Sequence, residues 1–82
     1  MTDCRHIPVL ELLPQRPPFL FVDTLEAFDP DGRALSSFTV PREGILVEER
    51  RLTTAGLMEH MAQTAALRIG YIAVYVRHIP VQ

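Results

Sequence analysis

Lysine is missing altogether from this chain of 82 residues, and cysteine occurs once. Eight arginines against ten acidic side chains give a formal net charge of -2. A groove that holds nucleic acid through its phosphates needs a surplus of cations, so composition argues against that class. The pair Arg50-Arg51 is too small to reverse the balance. A solitary Cys4 can neither close an intramolecular disulfide nor supply a thiolate metal cage, and it points to a reducing compartment. Absent too is the apolar run of a secretory signal, since Met1-Thr2-Asp3-Cys4-Arg5-His6 is polar. A cytoplasmic location is therefore expected. There is no repeat and no low-complexity segment. Only Ala55 to Val76 is long enough to span a bilayer, and it carries Glu59, His60, Gln63 and Arg68. At about 2 to 3 kcal/mol of insertion cost per charged group, no membrane partner is expected.

What is present is 48% hydrophobic residues in a length that allows one small domain. Residues 6–13 suit a short helix, with Pro8 in its first turn, Leu10 and Leu13 on one face and Pro14 as a stop. Residues 19–40 read as a β-hairpin. Phe19 to Phe28 is rich in aromatic and β-branched side chains, Asp29-Pro30-Asp31-Gly32 is a turn signal, and Arg33 to Val40 returns. In the return strand Phe38 and Val40 alternate with Ser37 and Thr39, which predicts one face on a core. Residues 41–53, with Gly44 and the cluster Glu48-Glu49-Arg50-Arg51, read as a loop with room for one helical turn.

A central helix is predicted over 54–77, capped by Thr53 or Thr54 and ended by His78 and Pro80. Met58, Met61, Ala62, Ala65, Ala66, Ile69, Ile72, Ala73 and Val76 fall on one stripe at helical spacing, most simply the core face, with space also for an acyl chain. Glu59, His60, Gln63, Thr64 and Arg68 fall on the other side. Leu67, Val74 and Tyr75 make the second half apolar nearly all round, and such a helix must be wrapped. One hairpin and a short helix cannot wrap it, so a second protomer, further sequence beyond Gln82, or both are expected to cover it. Glu59 stands out. A carboxylate buried among Met, Ala and Leu costs several kcal/mol unless it has a partner, water or a task, whereas a glutamate on the helix surface has no such cost.

Two segments resemble a known family. Leu12-Leu13-Pro14-Gln15-Arg16-Pro17-Pro18-Phe19-Leu20-Phe21-Val22-Asp23 is similar to the opening of FabZ-type (and FabA-like) 3-hydroxyacyl-ACP dehydratases, ACP being acyl carrier protein. Leu57-Met58-Glu59-His60-Met61-Ala62-Gln63 resembles the start of their central helix. The resemblance implies an α+β hotdog fold, an antiparallel sheet wrapped around a long helix, of which this chain, read as a partial domain over 1–82, holds the N-terminal part. It also implies a cytoplasmic lyase of fatty-acid biosynthesis or related lipid metabolism, edge-to-edge dimers or higher oligomers, an ACP or CoA thioester as partner, and no cofactor. In the family a histidine before the central helix takes the α-proton, a glutamate on the partner's helix protonates the leaving hydroxyl, and a backbone N–H near a helix N-terminus polarises the thioester carbonyl.

Glu59 matches the family's glutamate. The histidine does not carry over: its place falls at Ile45 to Leu46, within Glu43-Gly44-Ile45-Leu46-Val47-Glu48, and Thr54 stands where the family has a helix-opening glycine, two residues before Gly56. The candidate site is therefore Glu59 as catalytic acid, with Gln63 one turn on to hold it and Gly56 at the helix start for substrate. His60 adjoins Glu59, but neighbouring helix positions diverge by about 100°, so the two side chains do not meet. His78 reads as a helix-end residue, His6 as a loop residue and Asp23 as a strand-end carboxylate. Cys4, His6, His60 and His78 have no metal-ligand spacing, so no metal site is expected. Three functions remain open: a dehydratase-like enzyme with an unrecognised base, a hotdog acyl thioesterase in which one carboxylate suffices, and a non-catalytic homologue that binds an acyl carrier or a partner subunit.

Overall fold

The structure is a computed structural model and describes residues 1–78. The helix stop assigned to Pro80 lies outside the described residues. The N-terminal segment opens with β1 (Thr2–Asp3) and reaches a short 3-10 helix at Val9–Glu11. Strands β2 (Thr24–Phe28) and β3 (Ala34–Ser37) follow, then β4 (Val47–Glu48), β5 (Arg51–Leu52) and helix α1 (Thr54–Tyr71), which runs on as a π-helical turn over Ile72–Val76. The protein is thus a small α+β molecule with antiparallel strands and one long helix.

The sheet has the order β1-β2-β3, antiparallel throughout. Thr24 faces Ser37 and Phe28 faces Ala34, with an irregularity between Leu25 and Ala27 that leaves Glu26 as the extra residue. Such a bulge increases local twist and bends the strand. Asp29-Pro30-Asp31-Gly32 makes the turn as its composition predicts: Gly32 N donates to Asp29 O at 2.7 Å, and Gly32 takes φ +91°. The hairpin is shorter than 19–40 at both ends. Phe19 to Asp23 is not part of the strand: Gln63 and His60 of the helix take up backbone groups of Phe19 and Phe21, Asp23 N donates to Ser37 O, and Val40 is exposed.

Residues 41–53 hold no helical turn. Val47 pairs with Leu52 and Glu48 with Arg51, closing a two-residue hairpin in which Glu49 (φ 49°) and Arg50 (φ 62°) both adopt left-handed backbone. Two-residue hairpins of this hand normally carry Asn or Gly, which explains why the charged sequence gave no hairpin signal. The predicted helix over 6–13 contracts to one 3-10 turn. Leu10 is left outside while Val9, Leu12 and Leu13 are buried.

The core draws Cys4, Ile7, Val9, Leu12 and Leu13 from the N-terminal segment, Val22, Leu25 and Phe28 from β2 and its lead-in, and Leu67 from α1. Burying one such leucine is worth about 1.5 to 3 kcal/mol. Gly70 lets the helix approach the N-terminal segment: a Cβ there would lie 3.0 Å from Leu12 O and 3.3 Å from Leu12 Cβ. Phe28 packs on Tyr71 with ring centres 4.4 Å apart. Among the described residues no helix is long and apolar enough to cross a membrane.

Candidate functional site

Helix α1 starts at a capped turn. Thr53 is extended, and its Oγ1 accepts from Gly56 N at 3.2 Å. Gly56 is buried against the β4–β5 hairpin, where a Cβ would run into Leu52 and sit 3.1 Å from Leu46 O. From there the phase of the helix is set by Gly56, Gln63, Leu67 and Gly70, its buried residues. Their intervals of seven, four and three place them on one face.

This phase corrects the expected core face. The stripe of Met58, Met61, Ala62, Ala65, Ile69 and Val76 is exposed, with Met58 at 65%, Met61 at 62% and Ile69 at 64% relative accessibility. Ala66, Ile72 and Ala73 are half-buried. The side expected to be polar and outward carries the contacts with the sheet. Close approach at the two glycines and hydrogen bonding through Gln63 outweigh the extra apolar area that the methionine side would have buried.

Gln63 is the centre of that contact and is 1% exposed. Its Oε1 accepts from Phe21 N at 2.7 Å, and its Nε2 donates to Phe19 O at 3.0 Å and to Glu59 Oε2 at 3.1 Å. One amide side chain thus satisfies two backbone groups of the extended Phe19–Phe21 segment and tethers the carboxylate one turn earlier. Glu59 itself is exposed, so the sequence-based expectation of a carboxylate buried in apolar surroundings does not hold in the single chain. It is nevertheless held in place at the rim of the helix–sheet contact.

His60 lies on the sheet side, half-buried. Its Nδ1 is 2.6 Å from Phe21 O and its ring stacks on Phe38 at a centroid distance of 6.0 Å. A carbonyl oxygen only accepts, so Nδ1 carries a proton, and in the neutral ring Nε2 is then the atom with the lone pair. Thr64 Oγ1 donates to His60 O at 2.9 Å and makes a second bond, 2.6 Å, with Ser36 Oγ. Since the Thr64 proton is already used, Ser36 is the donor.

Glu59, Gln63 and His60 are therefore brought together around Phe19–Phe21, with Glu59 and His60 directed differently. Gly56 stands apart at the helix start, its N–H engaged by Thr53. At Ile45 to Leu46, where the resemblance would place a histidine, Leu46 adopts φ 60° and its carbonyl accepts from Thr53 N at 2.9 Å. Asp23 closes the end of the β2–β3 hairpin by accepting from Thr39 N at 2.6 Å. His6 and His78 are exposed. Among the described residues no cluster of three potential metal ligands occurs. The signal for Gln63 was available in the sequence: it stands midway between Gly56 and Gly70, seven residues from each, on a line where the helix carries no bulky apolar side chain.

Shifted ionisations lie elsewhere. Burial pushes the Cys4 thiol up against the opposing pull of the Tyr71 hydroxyl, and burial together with Cys4 pushes Tyr71 up. Hydrogen bonds from Arg5 hold the Asp3 carboxyl well below its usual range, and those from Asp31 N–H and Arg33 lower Asp29.

Fold and site define a small α+β protein whose long helix presents a tethered acid at the edge of its sheet contact. The family model described as ApeP-like, ApeP dehydratase, matches residues 7–80, and the chain belongs to that dehydratase family. No curated protein matches the chain, and no solved structure matches it.

Proposed function

We propose that the protein is a dehydratase-like lyase of acyl-thioester metabolism, a single partial hotdog domain of the FabZ and FabA kind. Its substrate would be a 3-hydroxyacyl group on ACP or CoA, as in fatty-acid or related lipid biosynthesis, and its site would be completed by a second protomer in a homodimer or higher oligomer. The observation that carries this reading is the Glu59–Gln63 bond within the dehydratase-family match. Gln63 leaves one carboxylate oxygen of Glu59 without a partner among the described residues, so in the protonated acid that oxygen can donate its proton to a leaving hydroxyl. A carboxylate open to solvent in one chain becomes enclosed when another protomer covers the Met58–Met61 side. Gly56 would serve the thioester carbonyl only by yielding its bond to Thr53.

The test is hydration of a crotonyl thioester, followed by loss of the enoyl absorbance. Turnover by the wild type, lowered at least about a hundredfold in Glu59→Gln, is expected. Full activity in that variant removes Glu59 from the mechanism. Release of free thiol instead would identify a thioesterase. The loop without a histidine and the exposed methionine face favour one second reading, a non-catalytic homologue that binds an acyl carrier or a partner subunit. Silence in both assays with retained binding of an acylated carrier would select it.

A further inference from the structure

A groove of about 450 Å³ runs between α1 and β3, and Glu59 is not among the residues that line it. Its walls are apolar at Ala34, Leu35, Met61 and Ala65, with His60 and Arg68 as its cationic or basic members. Ser36 and Thr64 also line it, but the protons of both hydroxyls are spent in the chain from Ser36 to Thr64 to His60 O. With Nδ1 bound to Phe21 O, the polar atom that His60 has left to offer is Nε2, which in the neutral ring is a hydrogen-bond acceptor.

Arg68 is seated by the sheet turn. Its Nε donates to Gly32 O, and a Cβ on Gly32 would stand 2.9 Å from Arg68 Nη2, so the guanidinium occupies the space a side chain would fill. Among the described residues Arg68 makes no ion pair and is exposed. Two turns of helix separate the groups, about 12 Å at 1.5 Å per residue. The groove thus combines a cation, apolar walls and an acceptor, a pattern complementary to an amphiphilic anion bearing a hydroxyl.

We propose that this groove binds a medium-chain acyl anion, its anionic end on Arg68, its chain along Met61 and Ala65, and a hydroxyl donating to His60 Nε2. The volume is within the usual range for small-molecule sites.

The probe is ω-hydroxydodecanoate, compared with dodecanoate and followed through the ring-nitrogen resonances of His60 in the full chain. The free protein should show the proton on Nδ1, and the hydroxylated probe should shift Nε2 saturably. Dodecanoate should bind more weakly and leave Nε2 unmoved. Arg68→Gln should weaken the probe by about tenfold or more without changing the His60 tautomer. His60→Asn keeps an amide N–H for Phe21 O and should abolish the preference for the hydroxylated probe; should this variant fold poorly, Arg68→Gln and the paired probes still decide. A proton on Nε2, the absence of a saturable shift, or equal affinity in Arg68→Gln would overturn the proposal. Loss of turnover in Glu59→Gln bears on that carboxylate and not on this groove, so the two readings fail separately.

Discussion

The two flanks of helix α1 are inverted relative to the usual amphipathic pattern. The flank against the sheet is made of glycine, glutamine, histidine and threonine with a single fully buried leucine, while the flank facing away carries Met58, Met61 and Ile69 among alanines. The inward flank is held by shape and hydrogen bonds, since Gly56 and Gly70 permit contact and Gln63 satisfies Phe19 and Phe21. The outward flank offers area without direction. A helix can therefore be oriented by a few close contacts even when its greasier side is left open, and that open side is then available to something other than its own sheet.

The comparison breaks most readily at Leu67, the one α1 side chain that is fully buried in the core. Leu67→Ala is expected to cost about 2 to 5 kcal/mol in a denaturant titration. A loss near zero would mean that the inward flank does not anchor the helix. Next is Gln63→Leu, which matches the apolar character of a core but strands Phe21 N–H. It should cost about 1 to 3 kcal/mol, and it releases Glu59 as well. If the variant were as stable as the wild type, hydrogen bonding could not be what selects this face.

On the other flank, replacing Met58 and Met61 together by serine should change the stability of the single chain by no more than about 0.5 kcal/mol per site. The same pair should lower self-association in sedimentation velocity if a second copy covers that side. A double variant that sediments like the wild type would detach the face from any homodimer. The smallest effect belongs to the hairpin turn, off both flanks. The Asp29 carboxyl is lowered in the fold, so its contribution is present above the unfolded value of about 4 and is lost as pH falls through the folded value. Asp29→Asn should therefore lower stability slightly at neutral pH and converge on the wild type at acid pH, where the carboxyl is protonated in any case, as a melting series against pH would record.

Much of the frame was legible from residue order. The turn at Asp29–Gly32 and a long helix opening at one of the two threonines, Thr53 or Thr54, follow from local chemistry that tertiary packing did not override, while the π-helical turn after Tyr71 has no signal in the sequence. That residues 19–23 form no strand was not legible, because Phe19 and Phe21 look like sheet residues while their backbone groups are taken up by Gln63 and His60 from far along the chain. The facing of the helix was misread for a related reason: an area rule ranks methionine above glycine, whereas backbone approach depends on how little a residue projects. For the candidate site, the pairing of Glu59 with Gln63 follows from helical spacing, but the exposure of the acid depends on that facing and could not be read without it.

Cys4 sits at 0% accessibility where β1, β2 and the end of the helix meet, and it is the chain's single thiol. A sulfur sealed in that position reacts with an alkylating reagent only when the junction comes apart, and its raised ionisation slows the chemistry further. The molecule consequently carries its own clock for breathing: the rate at which that one atom becomes modified counts the openings of the seam between the first strand and the last turns of the helix.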